Sequence, residues 1–340
     1  MKKKGNTTVK DIARESGYSA ATVSKALNGY KDIPEETVKK IREVAERLNY
    51  TPNAAARQLK TKSSRNIGVL FEDRTGSGLT HEYFAAILDG IRKGLEINGY
   101  DMSFISKSEM STYLQQARYR KYDGIIIASA DFRDPEVVEL AESEIPVLAI
   151  DYSYPNRSSV HSDNVDGGYT LTRHLLKLGH KKIAVIHGED TLVTRSRLNG
   201  FYRAMKEAGV TVKSELIRAA RYHDPESTAY ETEMLLRFKD EPTAIMFPDD
   251  YAFLGGLKVL SAKGVKIPEE ISVTGYDGMK LANMLVPKLT TYFQDADEIG
   301  KRSAQKLMEC IEDPVNCVQE QIGVKGYLLK GESTTAPRKK

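Results

Sequence analysis

Acidic and aromatic residues gather where short apolar runs end. Glu72, Asp73 and Arg74 follow the run from Ile67 to Phe71; Ser129, Asp131 and Phe132 follow Gly124 to Ala128; Asp151 and Tyr152 follow Val147 to Ile150. Farther along, Asp249 and Asp250 follow Ala244 to Phe247, and Tyr276 with Asp277 follow Ile271 to Thr274. Carboxylates and arginine that share paired hydrogen bonds with vicinal hydroxyls, with Tyr and Phe faces alongside, suit a carbohydrate ligand. A strand-end Asp is equally the ordinary N-cap of the following helix, and for any single one capping accounts for it as well.

A second chemistry sits in the first fifty residues. Thr8, with Asp11 three residues on and Ile12 and Ala13 following, forms a capping box, so a helix runs to about Ser16 and stops at Gly17. Ser19 caps a second helix that turns Val23, Ala26 and Leu27 inward, and a third follows Pro34 with Val38, Ile41, Ala45 and Leu48 on one face. Two short helices about a glycine turn, braced by a third, describe a helix-turn-helix unit. Its second helix presents Ala20, Ala21, Thr22, Ser24 and Lys25: small residues admit the backbone to the major groove, hydroxyls reach phosphates, and Lys25 reaches a guanine edge.

The elements that carry these groups alternate. The apolar runs named above, with Met102 to Ile105 and Ile183 to His187, read as strands. Between them lie helical patterns such as Phe84 to Asn98, Val165 to Leu178, Leu198 to Ala208, Ala229 to Phe238 and Leu254 to Ala262. Alternation over this length implies parallel sheets covered by helices on both faces, enough for two. With 340 residues the chain exceeds one compact core. Its charge divides in the same place: residues 1 to 65 hold 15 Lys and Arg against 7 Asp and Glu, a net +8, and the remaining 275 hold 35 against 40, a net −5. A basic head on an acidic body points the head at a polyanion.

The segment Thr8 to Ala13, then Gly17, Tyr18, Ser19, then Thr22 to Asn28, and Leu48 to Asn53 with Ala56, Arg57 and Leu59, resembles the LacI/GalR family of bacterial transcription regulators. The resemblance runs on through Asp163, Asn164, Gly167 and Gly168, through Arg195 to Phe201, Pro248 to Ala252, Ser272 to Asp277 and Leu289 to Thr291, and covers residues 7 to 335. It implies an N-terminal all-α helix-turn-helix domain over 1–52, a hinge helix and linker over 53–65, and an α/β two-lobed domain over 66–337 that resembles periplasmic binding proteins, binds effector and dimerises. It places Ala20, Ala21 and Lys25 at base-reading positions, and Thr8, Ser19, Thr22, Ser24 and Asn28 at phosphate-contacting or capping ones. Most relatives carry Arg where this chain has Lys25, and Lys lacks the bidentate fork. Residues 53 to 61, capped by Asn53, are too short for a helix stable alone. They read either as a plain linker or, by resemblance, as a hinge helix with Ala54, Ala55 and Ala56 on its bare side and Leu59 wedged between base pairs of the minor groove.

By the same resemblance Arg197 holds the effector; with the strand-end residues, the cleft is expected to hold it by Arg197, Asp277, Asp249 and Asp151, with Asp73, Phe132, Tyr83 and Tyr222 as further candidates. The lobes would be 66 to 163 with 294 to 324, and 164 to 291 with 325 to 337. His81, Glu82, Tyr83 and Phe84 stand where relatives often show Asn-Pro-Phe, and Asp249 and Asp250 where many have an Asn-Asp pair, so the effector's identity is not carried over. The expected partners are a palindromic DNA operator, a second copy of the chain and a small effector, a sugar or else a purine or other corepressor. No tetramer-forming heptads follow the body.

Other classes fit less well. The six His share no metal-ligand spacing with an acid, and neither a G-x-S-x-G elbow nor a P-loop occurs, so neither an enzyme nor a cofactor or metal is expected. A transport-type sugar-binding protein would share the body, but the basic head and the lack of an export signal or an 18-residue apolar run point to a cytoplasmic regulator. Cys310 and Cys317, seven apart, fit neither a zinc nor a C-x-x-C pattern and read as reduced bystanders.

Overall fold

The structure, a computed structural model, describes residues 7–27, 30, 32–51, 63–73, 76–106, 111–238 and 241–338. The chain forms two compact units that divide between Ser64 and Arg65. The head holds α1 (Val9–Ser16), α2 (Ala20–Leu27) and α3 (Glu35–Arg47). Thr8 donates both its backbone N–H and its hydroxyl to the Asp11 carboxylate, at 3.0 and 2.7 Å, and Gly17 leaves α1 at φ 79°, a conformation open to glycine at no steric cost. Ile12, Val23, Ala26, Ile41, Val44 and Ala45 close the core of the head, which adds Val44 to the expected face. The expected hinge segment, with Asn53, Ala56 and Leu59, lies outside the described residues, as does Asn28.

The body contains two sheets, each of six strands among the described residues. In lobe 1 the strands are β1 (Asn66–Phe71), β2 (Asp101–Ile105), β3 (Gly124–Ser129), β4 (Val147–Ile150), β5 (Ser158–Ser162) and β11 (Gln321–Val324), in the order β11-β5-β4-β3-β1-β2 and parallel throughout. Lobe 2 has β6 (Ile183–His187), β7 (Ile217–Ala219), β8 (Ala244–Met246), β9 (Ser272–Asp277), β10 (Thr290–Phe293) and β12 (Tyr327–Leu329), in the order β12-β10-β9-β8-β6-β7. Here β12 runs antiparallel to β10, a departure from the expected parallel sheets confined to one edge. The chain passes between the lobes after β5, after β10 and between β11 and β12, close to the expected boundaries.

Helices cover both faces of each sheet because successive strand residues point to opposite sides. In β3, Ile126 and Ala128 join the core under α4 (Glu82–Ile97) and α12 (Ala296–Glu312), whereas Ile125 and Ile127 join that under α5 (Tyr113–Arg120) and α6 (Pro135–Glu142). In β6, Ile183 and Val185 pack under α7 (Asn164–Lys177) and α8 (Leu192–Glu207), and Ala184 and Ile186 under α9 (Pro225–Leu235) and α10 (Phe253–Ala262). The strands absent from the apolar reading, β5 among them, are polar or at an edge: Ser158, Ser159 and Ser162 are buried, and the Ser158 and Ser159 hydroxyls bond Gln319 and Ser153 instead of packing.

The expectation for the cysteines is corrected. A disulfide joins Cys310 to Cys317, because α12 ends at Glu312 and a turn closed by the Cys317 N–H on the Asp313 carbonyl returns the chain to within 5.0 Å, Cα to Cα.

Two glycines set how closely α7 and α8 approach. A Cβ on Gly168 would stand 2.1 Å from the Arg197 carbonyl oxygen, and one on Gly200 2.1 Å from that of Val165. Gly90 and Gly300 do the same for α4 and α12 in the other lobe, where a Cβ would meet a carbonyl oxygen at 2.2 Å from either side. The Gly168→Ala variant is therefore expected to lose about 1–3 kcal/mol of stability through overpacking, read from urea denaturation. Unchanged stability would mean that the two helices separate freely.

Candidate functional site

Arg197 lies in the second turn of α8, and lobe 2 converges on its guanidinium. Nε donates to Asn164 Oδ1 at 2.9 Å, NH1 donates to the Pro248 carbonyl at 2.8 Å, and the Tyr276 ring lies 3.5 Å from the guanidinium carbon. Asn164 opens α7, Pro248 follows β8 and Tyr276 lies in β9, so three elements of one lobe fix this side chain. Tyr222 lies 5.4 Å from the same group, and its hydroxyl shares a 2.7 Å hydrogen bond with Thr194. Burial opposes the Arg197 charge, but Tyr222, Tyr276 and Asp277 outweigh it and hold the group protonated.

The carboxylates fall into two kinds. Asp151 directly follows β4 in lobe 1 and Asp277 ends β9 in lobe 2, both with left-handed backbone, at φ 56° and 99°. Asp tolerates this conformation better than most residues, and such backbone is often found at functional sites. Asp151 accepts from the Tyr83 hydroxyl and from the Ser162 N–H, each at 3.3 Å, and Asp277 accepts from Gln294 Nε2 at 2.6 Å. Burial pushes both carboxyls up from the ordinary range, and the Arg197 charge opposes that shift in each.

Asp249 and Asp250 instead brace loops. Asp249 accepts from the backbone N–H of Ala252 at 2.7 Å and of His223 at 2.8 Å; Asp250 accepts from the Met279 N–H and the Thr291 hydroxyl, both at 2.7 Å. Burial, reinforced by Asp277, pushes Asp249 up to about 6. The pair thus ties loop backbone together, and neither carboxylate is the N-cap of the helix that follows, α10.

Around them, Phe132 stacks on Tyr152 with centroids 4.7 Å apart, and Asp73 accepts from the Gly78 N–H within its own loop. A cavity of about 210 Å³ opens between the lobes, lined by Asp151, Tyr152, His161, Asn164 and Ser196 among others. The structure thus groups Arg197, Asp277, Asp151, Tyr83 and Tyr222, and leaves Asp73 and Asp249 in bracing positions. Asn164, Gln294 and His161 were not among the expected ligand-side residues. Asn164 was visible as part of the crossover segment, but an amide or imidazole in a polar stretch carries no periodic signal.

On the head, Ser19, Ala20 and Ala21 are exposed at the start of α2. Ser19 Oγ accepts from the Thr22 N–H at 3.1 Å, as an N-cap, and also bonds the Thr22 hydroxyl. Thr8 is occupied in its capping box, and Ser24 is half-buried on α2. Lys25, partly exposed, pairs with Asp32, which raises the ammonium and lowers the carboxyl from their ordinary values.

A helix-turn-helix head joined to a two-lobed clamp with its polar groups at the sheet ends defines an effector-responsive DNA-binding protein. Comparison with known proteins agrees. Residues 8–53 match the model of bacterial regulatory proteins of the lacI family, and residues 64–326 match that of periplasmic binding proteins and the sugar binding domain of the LacI family. The chain belongs to the LacI family, and it is an effector-controlled, DNA-binding transcriptional repressor. It is 30% identical over 315 residues to the HTH-type transcriptional repressor PurR of Aliivibrio salmonicida, with 90% of this chain and 92% of that one covered. It is 31% identical over 311 residues to the probable HTH-type transcriptional repressor ExuR of Bacillus subtilis, with the same shares covered. Among solved structures it resembles the lac repressor dimer bound to operator and the anti-inducer ONPF, with TM-score 0.80 at 26% identity over 98% of this chain and 100% of that one. It also resembles a LacI family regulator from Enterococcus faecium with bound ribose, with TM-score 0.69 at 25% identity over 80% of this chain and 100% of that one.

The Lys25–Asp32 pair holds a candidate base-reading ammonium against a carboxylate. An Asp32→Asn variant is expected to bind operator about two- to fivefold more tightly, the scale of an exposed ion pair, in a fluorescence anisotropy titration. Equal or weaker binding would mean that the pair orients Lys25 productively.

Proposed function

We propose that the protein is a homodimeric repressor of a palindromic operator, acting in the cytoplasm without catalysis of its own, and that a neutral sugar entering the cleft releases it from DNA. The observation that supports the sugar is the commitment of Arg197. Its guanidinium is taken up by Asn164, the Pro248 carbonyl and the Tyr276 ring, and the charged groups that act on it from the cleft side are Asp151 and Asp277. An anionic ligand would meet carboxylates there; a ring of hydroxyls would donate to them. Of the residues grouped around Arg197, Asp151 lines the cavity between the lobes, together with Asn164, which holds Arg197 Nε; that cavity is small for a ligand pocket, on the scale of one sugar ring. The bound ribose of the Enterococcus faecium regulator supports the same class.

On the head, Ala20, Ala21 and Lys25 would read bases, with Thr8, Ser19, Thr22, Ser24 and Asn28 on phosphates or caps, and Asn53, Ala56 and Leu59 would form the minor-groove hinge. A half-site read by one short helix needs a second copy, and the lac repressor that this chain resembles is a dimer on its operator. A purine corepressor is the second reading, favoured by the PurR relative and by two tyrosines, Tyr83 and Tyr222, near Arg197.

A thermal-shift screen of monosaccharides, disaccharides and purine bases decides between them. A sugar is expected to raise the melting temperature of the wild type and to leave Arg197→Ala unmoved, while the variant keeps its operator affinity. A shift with purines alone, or an equal shift in the variant, overturns the assignment. Lys25→Ala is expected to cost about 1–3 kcal/mol for the preferred base at one position per half-site. A loss uniform across operator sequences would place Lys25 on phosphate.

A further inference from the structure

One edge of the cleft is held shut by groups to which the functional reading assigns no part. His81, the N-cap residue of α4 in lobe 1, stacks on His223 of lobe 2 with ring centroids 4.0 Å apart and 23° between planes. His223 stacks in turn on Tyr251, also at 4.0 Å. The next residue of lobe 1 makes a second contact: Glu82 accepts the Lys280 N–H at 3.2 Å, at the start of α11 (Lys280–Met284) in lobe 2. His223 is presented by left-handed backbone, φ 54°, and its N–H is fixed by Asp249. Among the described residues, neither His81 Nδ1 nor His223 Nδ1 has a hydrogen-bond partner, although both atoms are buried.

We infer that the His81–His223–Tyr251 stack is a clasp between the lobes that stays closed while both imidazoles are neutral and opens when they take up protons. His81 and His223 are positioning residues: they touch no ligand and set how far the cleft closes. Two stacked cations with no anion bonded to their free nitrogens would repel each other in a poorly solvated place. Burial lowers both imidazoles from their usual value; for His81, where the facing His223 adds to the effect, the result is about 4. Asp73 from lobe 1 and Asp249 from lobe 2 face the pair and oppose that shift without overcoming it. Asp277 faces Asp249, and Glu82 acts on Asp277, so these carboxylates are the other groups that could respond to pH here.

The sign follows from linkage. Opening the cleft returns the imidazoles to water and to a pKa of about 6.5. The closed form therefore has its full advantage above about pH 6.5 and loses it as pH falls toward the closed-form value. Between pH 7.5 and 5.5 the ratio of open to closed molecules should rise about tenfold from His81 alone.

The test needs no ligand, so it stands apart from the sugar assignment. Small-angle X-ray scattering of the full-length protein at pH 7.5 and 5.5, with circular dichroism to verify folding, is expected to show a larger radius of gyration at the lower pH. A His81→Phe/His223→Phe variant keeps the stack without the titration and should stay compact at both. Should that variant fail to fold, His81→Gln/His223→Gln, which cannot titrate, should show one radius at both. A wild type whose radius does not change overturns the inference. So does a folded double variant that expands as the wild type does, which would assign the response to Asp249 and Asp277.

Discussion

A guanidinium taken out of water needs its hydrogen bonds and its counter-charge supplied by the protein, and much of lobe 2 around the cleft is arranged to supply them to Arg197. Its partners come from the start of α7, the turn after β8 and the last residues of β9. Moving any one would leave a buried cation short of a partner, which is among the more costly defects a fold can carry. The close approach of α7 and α8 through Gly168, against the Arg197 carbonyl, serves the same end, since it brings Asn164 and Arg197 within bonding range. The site is therefore held by the packing of the lobe, with the Pro248 carbonyl supplied by the turn after β8.

The carboxylates show how one residue type takes two roles according to its backbone. Asp249 and Asp250 have both oxygens engaged by backbone N–H groups or a buried hydroxyl, and hold the loops after β8 and β9 in place. Asp151 and Asp277 stand on left-handed residues at the ends of β4 and β9, one in each lobe, and both feel the charge of Arg197. Because the pair is divided between lobes, a ligand that bonds both favours the closed cleft, and that differential affinity is what an effector needs to shift a conformational equilibrium. The histidine stack also joins lobe 1 to lobe 2, and it does so without a ligand.

How much of this was legible beforehand depended on the kind of signal. The three helices of the head were placed almost to the residue, because caps and turn glycines act over three or four positions: Thr8 with Asp11, Ser19 and Pro34 each mark a boundary that the structure keeps. The inner strands β1, β3, β4, β6 and β8 were visible as apolar runs, since strands buried on both faces leave no room for polar residues. Strand β5, with three buried serines, strand β10, which opens on Thr290 and Thr291, and the short edge strands β7, β11 and β12 were not, since buried polar residues and edge positions leave no apolar run to read.

Local chemistry in the sequence thus determined the head, the alternating strands and helices, the charge division between head and body, and the family. Tertiary structure decided which strand-end carboxylates face the cleft and which brace loops, that His81 meets His223, and that Cys310 closes on Cys317. The reason is one of range. A cap or an amphipathic face is a relation between residues a few positions apart, whereas the environment of Asp151, Asp249 or His81 is set by strands and helices that meet only when both lobes have folded.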